Sequence, residues 1–83
     1  MSRKRSKLEI TADILRVAVG GAKKSHIVYQ ANLNFQIIKN YLKDLISTGL
    51  LQSPTTGSKL YTTTDKGIAF VNYFDGMKQF AMS

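Results

Sequence analysis

The stretch that most restricts what this chain can become is Asn34 to Gly49, NFQIIKNYLKDLISTG. At about 3.6 residues per turn, Phe35, Ile38, Leu42, Leu45 and Ile46 fall along one stripe. Gln36, Lys39, Asn40, Lys43 and Ser47 fall opposite. Asn34 is suited to capping the start of this helix and Gly49 to ending it. The polar side holds no carboxylate, with Asp44 standing at its border. Two lysines there suit phosphates, and two carboxamides suit bidentate hydrogen bonding to adenine. Taken alone this is an ordinary solvated helix face; the flanking segments give it a sharper meaning.

Eighty-three residues support one small domain, and a core of that size is marginal enough for a second copy to be a natural supplement. Hydrophobic residues at 43% suffice for a folded domain rather than a disordered tail. Twelve Lys plus Arg against five Asp plus Glu give a net charge of +7, which draws polyanions, nucleic acid first and an anionic membrane surface second. The absence of cysteine removes disulfide and thiolate chemistry and favours an intracellular compartment. No apolar run approaches the roughly 20 residues of a membrane span. The expectation is a cytoplasmic, nucleoid-associated protein without a membrane partner.

Residues 1–6 carry Arg3, Lys4 and Arg5 without an apolar anchor and read as a flexible basic arm, which either follows a DNA groove or merely solubilises the chain. Ser6-Lys7-Leu8-Glu9 is a capping box opening a first helix, expected from Lys7 to Val19 and closed by Gly20-Gly21. Leu8, Ala12, Leu15 and Val19 form one apolar stripe on it, and Ile10, Ile14 and Val17 form a second. A monomer's surface helix needs only one, so the second is assigned to a partner subunit. Glu9, Asp13 and Arg16 read as an exposed charged strip between the two rather than as acid-base machinery.

Lys23 and Lys24 lead into a short second helix, about Lys24 to Ala31, with Ile27, Val28 and Ala31 as its apolar contacts. Asn32-Leu33-Asn34 is then a tight turn, and two helices so joined make a helix-turn-helix with Lys24 and Ser25 near a DNA backbone. His26 reads as a surface residue, because the chain has no cysteine and no second histidine with which to build a metal site. After Gly49 the period changes: Leu50 to Ser53, Pro54 to Ser58, and Lys59 to Thr62 read as strand, loop and strand, a wing with Lys59 beside its tip. Thr64 and Asp65 open a last helix whose Ile68 and Val71 are expected to dock on the domain. Phe70, Tyr73, Phe74, Met77, Phe80 and Ala81 make a broad stripe at spacings of three and four, read as a dimer seam shared with the spare stripe of the first helix. The expected fold is mainly α with a small β-hairpin: a winged helix-turn-helix over residues 7–63, and a dimerisation helix over 64–83 packed on the same domain.

The succession of GGAKK, a short helix, ANLN, a helix ending ISTGLL, a hairpin and YTTTDKGIAF resembles the archaeal winged helix-turn-helix regulators that include the small 10a chromatin proteins. The resemblance runs from about Leu8 to Phe74. Its most specific pieces are Gly20-Gly21, Ala31-Asn32-Leu33, Leu45 to Leu51, and Tyr61, Thr64, Lys66 and Gly67. It implies a DNA-binding domain that dimerises through its last helix, with the third helix in the major groove and the wing along the backbone. Longer members continue that last helix into an antiparallel coiled coil, whereas this sequence runs to Ser83, so the resemblance does not carry a dimer geometry with it.

The function expected is therefore that of a homodimeric double-stranded DNA-binding protein, a transcription regulator or chromatin component. Lys23, Lys24, Ser25, Lys39, Lys43 and Lys59 would meet the backbone, Asn34, Gln36 and Asn40 would stand at the groove, and Arg3, Lys4 and Arg5 would follow it. No cofactor, metal or catalytic set is legible. The competing readings are a protein-docking winged helix that uses its aromatic last helix, and an RNA binder using the same lysines.

Overall fold

The computed structural model describes the backbone of residues 5–82 and the side chains of residues 5–80. Six elements follow in the order α1 (Lys7–Val17), α2 (Lys24–Gln30), α3 (Phe35–Ser47), β1 (Leu51–Gln52), β2 (Thr62–Thr63) and α4 (Asp65–Met82). This is the expected α-α-α-β-β-α order of a winged helix.

Local chemistry sets the helix ends. Ser6 Oγ accepts from the Glu9 amide at 3.1 Å, and Glu9 Oε1 accepts from the Ser6 amide at 2.7 Å, so the capping box opens α1 as expected. Asn34 Oδ1 accepts from the Ile37 amide at 2.8 Å and opens α3. α2 and α3 close in the same way. Asn32 (φ 54°) and Leu33 donate back to the Tyr29 and Val28 carbonyls, while Gly49 (φ 81°) and Leu50 donate back to those of Ile46 and Leu45. Each is a left-handed residue that satisfies the last helical carbonyls and turns the chain sharply.

α1 ends two residues earlier than its periodicity suggests. The Ala18 carbonyl accepts from the Gly21 amide at 3.0 Å and from the Thr63 amide of β2 at 2.9 Å, so the wing takes over the acceptor. Thr63 Oγ1, itself buried, donates to the Leu15 carbonyl at 2.6 Å. The wing is also shorter than expected. Leu51 pairs with Thr63 and Gln52 with Thr62 in antiparallel register, while Tyr61 forms its backbone bridge with Ala22 instead of extending the hairpin. Residues 53–60 are left as a long tip, within which the Ser58 amide bonds the Thr55 carbonyl.

The core gathers Ile14, Leu15, Ala18, Ala22, Ile27, Val28, Ala31, Ile38, Leu42, Leu45, Leu51 and Val71. This overturns one expectation. Ile10, Ile14 and Val17 are not a spare stripe awaiting another subunit: Ile14 is completely buried, and Ile10 and Val17 pack against the same cluster. The physical reason is that α1 runs through the middle of the domain, with α2, α4 and β2 all against it, so both its apolar sides find cover within one chain. Leu8 and Val19, at the two ends of the other stripe, are instead exposed. On α4, Val71 docks as expected, but Ile68 is left exposed.

Gly67 sits where α4 crosses the end of α3. A Cβ there would meet the Leu50 carbonyl oxygen at 2.3 Å and Thr63 Cγ2 at 2.6 Å. Its amide is taken by Thr64 Oγ1, which in turn donates to the Gly49 carbonyl at 2.6 Å, and Lys66 Nζ donates to the Thr48 carbonyl at 2.9 Å. Gly67→Ala should therefore lower stability by about 1–3 kcal/mol, read as a fall in urea midpoint. Gly20→Ala, where a Cβ meets nothing within 4 Å, should leave it unchanged or slightly raised. Thr63→Val, which keeps the volume but removes the buried donor, should cost about 1 kcal/mol in the same measurement.

Candidate nucleic-acid interface

Burial of Ile38, Leu42 and Leu45 fixes the rotation of α3 about its axis. The opposite face then presents Gln36, Lys39, Asn40, Lys43 and Ser47 to solvent, all exposed. Asp44 is exposed beside Tyr41 on the flank facing α1 and α4, so the one carboxylate of the helix lies away from the wing.

α2 and the wing add to this face. Lys23, Lys24, Ser25 and Lys59 come together around a cleft of about 420 Å³, whose other walls are Phe35, Pro54, Ser58 and Tyr61. The Ala22–Tyr61 bridge builds it, because it ties the segment entering α2 to the far side of the wing and brings three lysines separated by 36 positions to one rim. Between Lys23 and Lys59 the chain holds five lysines and a single carboxylate, Asp44. Most of the remaining acids are occupied elsewhere: Asp13 pairs with Arg5 at 2.8 Å and with Arg16 at 3.0 Å, Arg16 reaches on to Asp75 of α4, and Glu9 caps α1. These part-exposed pairs contribute little stability, but they draw negative charge toward the α1–α4 side.

Several expected site residues take other positions. Asn34 commits its carboxamide oxygen to capping α3, which leaves only its amide nitrogen for a ligand and removes bidentate recognition. Arg5 does not extend as part of an arm: it is held by Asp13 and donates to the Asn32 carbonyl at 3.0 Å, on the helix-turn-helix turn. Arg3 and Lys4 lie outside the described residues. His26 is exposed, and among the described residues no group of acidic, histidine or cysteine side chains could hold a metal ion.

Phe35 is the residue that periodicity misplaced. Although it belongs to the apolar stripe by angle, it is 53% exposed and forms a wall of the cleft. It occupies the first turn of α3, beyond the part of the helix covered by the core, and its position next to the cap is the signal that could have revealed this. Tyr61 and Pro54, by pattern a strand and a loop residue, are walls of the same cleft.

α4 divides its aromatic stripe in two. Phe70 packs against the core and Phe74 stacks on it, with ring centroids 6.3 Å apart, while Lys78 lies 6.0 Å from the Phe74 ring. Farther along, Tyr73, Met77 and Phe80 are 73%, 51% and 85% exposed and line a groove with Asn72 and Gly76. Among the described residues no helix is long and apolar enough to cross a membrane.

Comparison with known proteins agrees with this fold. No curated protein sequence matches the chain. Among solved structures, the crystal structure of Sso10a-2, a DNA-binding protein from Sulfolobus solfataricus, superposes with a TM-score of 0.83 at 25% sequence identity, over 94% of this chain and 83% of that one. A family model described as winged helix-turn-helix matches residues 4–82. With nearly its whole length covered by that match and its elements in the same order, the chain belongs to the winged helix-turn-helix family.

Proposed function

We propose that this protein binds double-stranded DNA as a homodimer, with α3 in the major groove and the wing on the backbone, and acts as a nucleoid-associated transcription regulator or chromatin component. The observation that carries the reading is the charge arrangement: Lys23, Lys24, Lys39, Lys43 and Lys59 all stand on the α2–α3–wing side, where the one carboxylate, Asp44, is turned to the flank. In this reading the lysines and Ser25 hold phosphates, which position the protein, and Gln36 and Asn40 meet base edges, which confer preference. Similarity to a DNA-binding protein supports the same assignment. The reading is one of binding without catalysis, which the winged helix-turn-helix match supports.

The dimer is assigned to α4 alone, since α1 is enclosed. The exposed Tyr73, Met77 and Phe80 lie on one side of the helix with the small Gly76 between them, a surface that two copies can bring together closely. The same face is the observation that favours a second reading, in which it docks a different protein.

A dimer making on the order of 6–10 phosphate contacts should lose about 10³- to 10⁵-fold in affinity between roughly 50 and 200 mM salt; titrating a labelled duplex at several salt concentrations measures the slope, and a flat one would sink the DNA reading. Lys39→Ala should weaken every duplex alike, whereas Asn40→Ala should mainly erase differences between sequences, each preferred base pair being worth about 1–3 kcal/mol. Equal losses on all sequences for both variants would remove base reading. In solution, light scattering should give twice the chain mass for the native protein and one chain mass for Met77→Glu with its melting curve retained; a native monomer would favour the protein-docking alternative.

A further inference from the structure

Phe35 lines two depressions, one with lysines around it and one without. One is the cleft of about 420 Å³ with Lys23, Lys24, Lys59 and Tyr61 around it. The other, about 360 Å³, is bounded by Tyr29, Asn32 and Leu33 of the helix-turn-helix. Both volumes fall in the range of sites that accept molecules of nucleotide size. Tyr29 is 83% exposed, and no carboxylate lines either depression.

Duplex contacts use such a surface only at an apolar edge such as a thymine methyl. A double helix offers phosphates and base edges, while its base faces are stacked inside. Phe35 exposed beside the lysines, with half-buried Tyr61 in the same cleft and exposed Tyr29 in the adjoining depression, matches a strand whose bases are unstacked, where each base supplies a face and each linkage a charge. We propose that the α2–α3–wing cleft holds unpaired nucleotides of single-stranded DNA. One base lies against Phe35 and Tyr61, its neighbour lies toward Tyr29 on the other side of Phe35, and the phosphates sit on Lys23, Lys24 and Lys59. The assignment rests on the reading above in that it takes those lysines to be phosphate contacts. It adds a ligand class in which ring stacking, rather than edge recognition, supplies the non-electrostatic part of the binding.

The test compares an end-labelled 12-mer of oligodeoxythymidine with a 12-base-pair duplex by fluorescence anisotropy, using native protein, Phe35→Ala and Phe35→Trp. Loss of one stacked base is worth about 5- to 150-fold in affinity. Phe35→Ala should weaken the single strand by that factor and change duplex binding less than twofold. Phe35→Trp should restore the strand, and because the native chain has no tryptophan, its emission should be quenched as the strand is added. Equal loss on both ligands would place Phe35 at a duplex edge, such as a thymine methyl, and overturn the proposal. So would no loss on the strand, or no strand binding by the native protein. Thymidine monophosphate that displaces the strand at equal nucleotide concentration would make the cleft a small-ligand pocket and overturn the strand assignment. Native protein that binds the strand but not the duplex would refute the duplex reading and leave this one standing.

Discussion

The structure depends on the enclosure of α1. Ile14, Leu15 and Ala18 have no contact with solvent, and α2, α4 and β2 all rest on that helix. Each large aliphatic side chain so buried contributes roughly 1.5–3 kcal/mol, and in an 83-residue chain a few such residues are a large share of what holds the fold. Thr63 takes one carbonyl of α1 and that of its cap, with its hydroxyl on Leu15 and its amide on Ala18. The β-hairpin is only two residues per strand, too short to stand alone, and it keeps its place because α1 and the Ala22 segment supply the missing partners.

With that centre in place, the rotation of α3 is a consequence. Its Ile38, Leu42 and Leu45 complete the same core, so Lys39, Asn40 and Lys43 have only solvent to face. The joint after α3 then sets where the wing and α4 leave. Gly49 turns the chain, Thr64 and Lys66 bond the Gly49 and Thr48 carbonyls just beyond α3, and Gly67 lets α4 pass against the Leu50 carbonyl without a side chain between them. The wing is thereby held next to the first turn of α2, and a cleft with three lysines and two aromatic rings exists between them.

Charge follows the same division. Asp13, Arg16 and Asp75 link α1 to α4, and Arg5 joins them from the chain's beginning. Lys23, Lys24 and Lys59 have no carboxylate neighbour in the cleft they line. Four of the five acids stand on α1 and α4, where basic side chains offset them, whereas the five lysines from Lys23 to Lys59 face a single carboxylate, so the positive potential is greater on the α2–α3–wing side, which steers a polyanion toward that face. α4 serves both sides of the division: Phe70 and Val71 belong to the core, and Tyr73, Met77 and Phe80 turn outward.

Local signals were legible in the chain because they act over a few residues. The capping box at Ser6 and Glu9, the Asn34 cap, the Gly49 stop and the apolar stripe of α3 each depend on a spacing of three or four, and each is present in the fold. What periodicity does not contain is the identity of whatever covers an apolar face. Ile10, Ile14 and Val17 looked like a surface for another subunit because nothing in their spacing says that α1 passes through the centre of the domain. Phe35 looked like core because its angle around the helix is right, whereas its height along the helix carries it past the covered part. The cleft arises from a bridge between Ala22 and Tyr61, residues far apart in the chain, and long-range pairing of that kind is decided by which packing closes the core. The sequence by itself determined where helices begin and end and how strongly the chain attracts anions; tertiary structure alone decided which of the apolar and basic residues share a surface, since that depends on contacts between segments no local pattern connects.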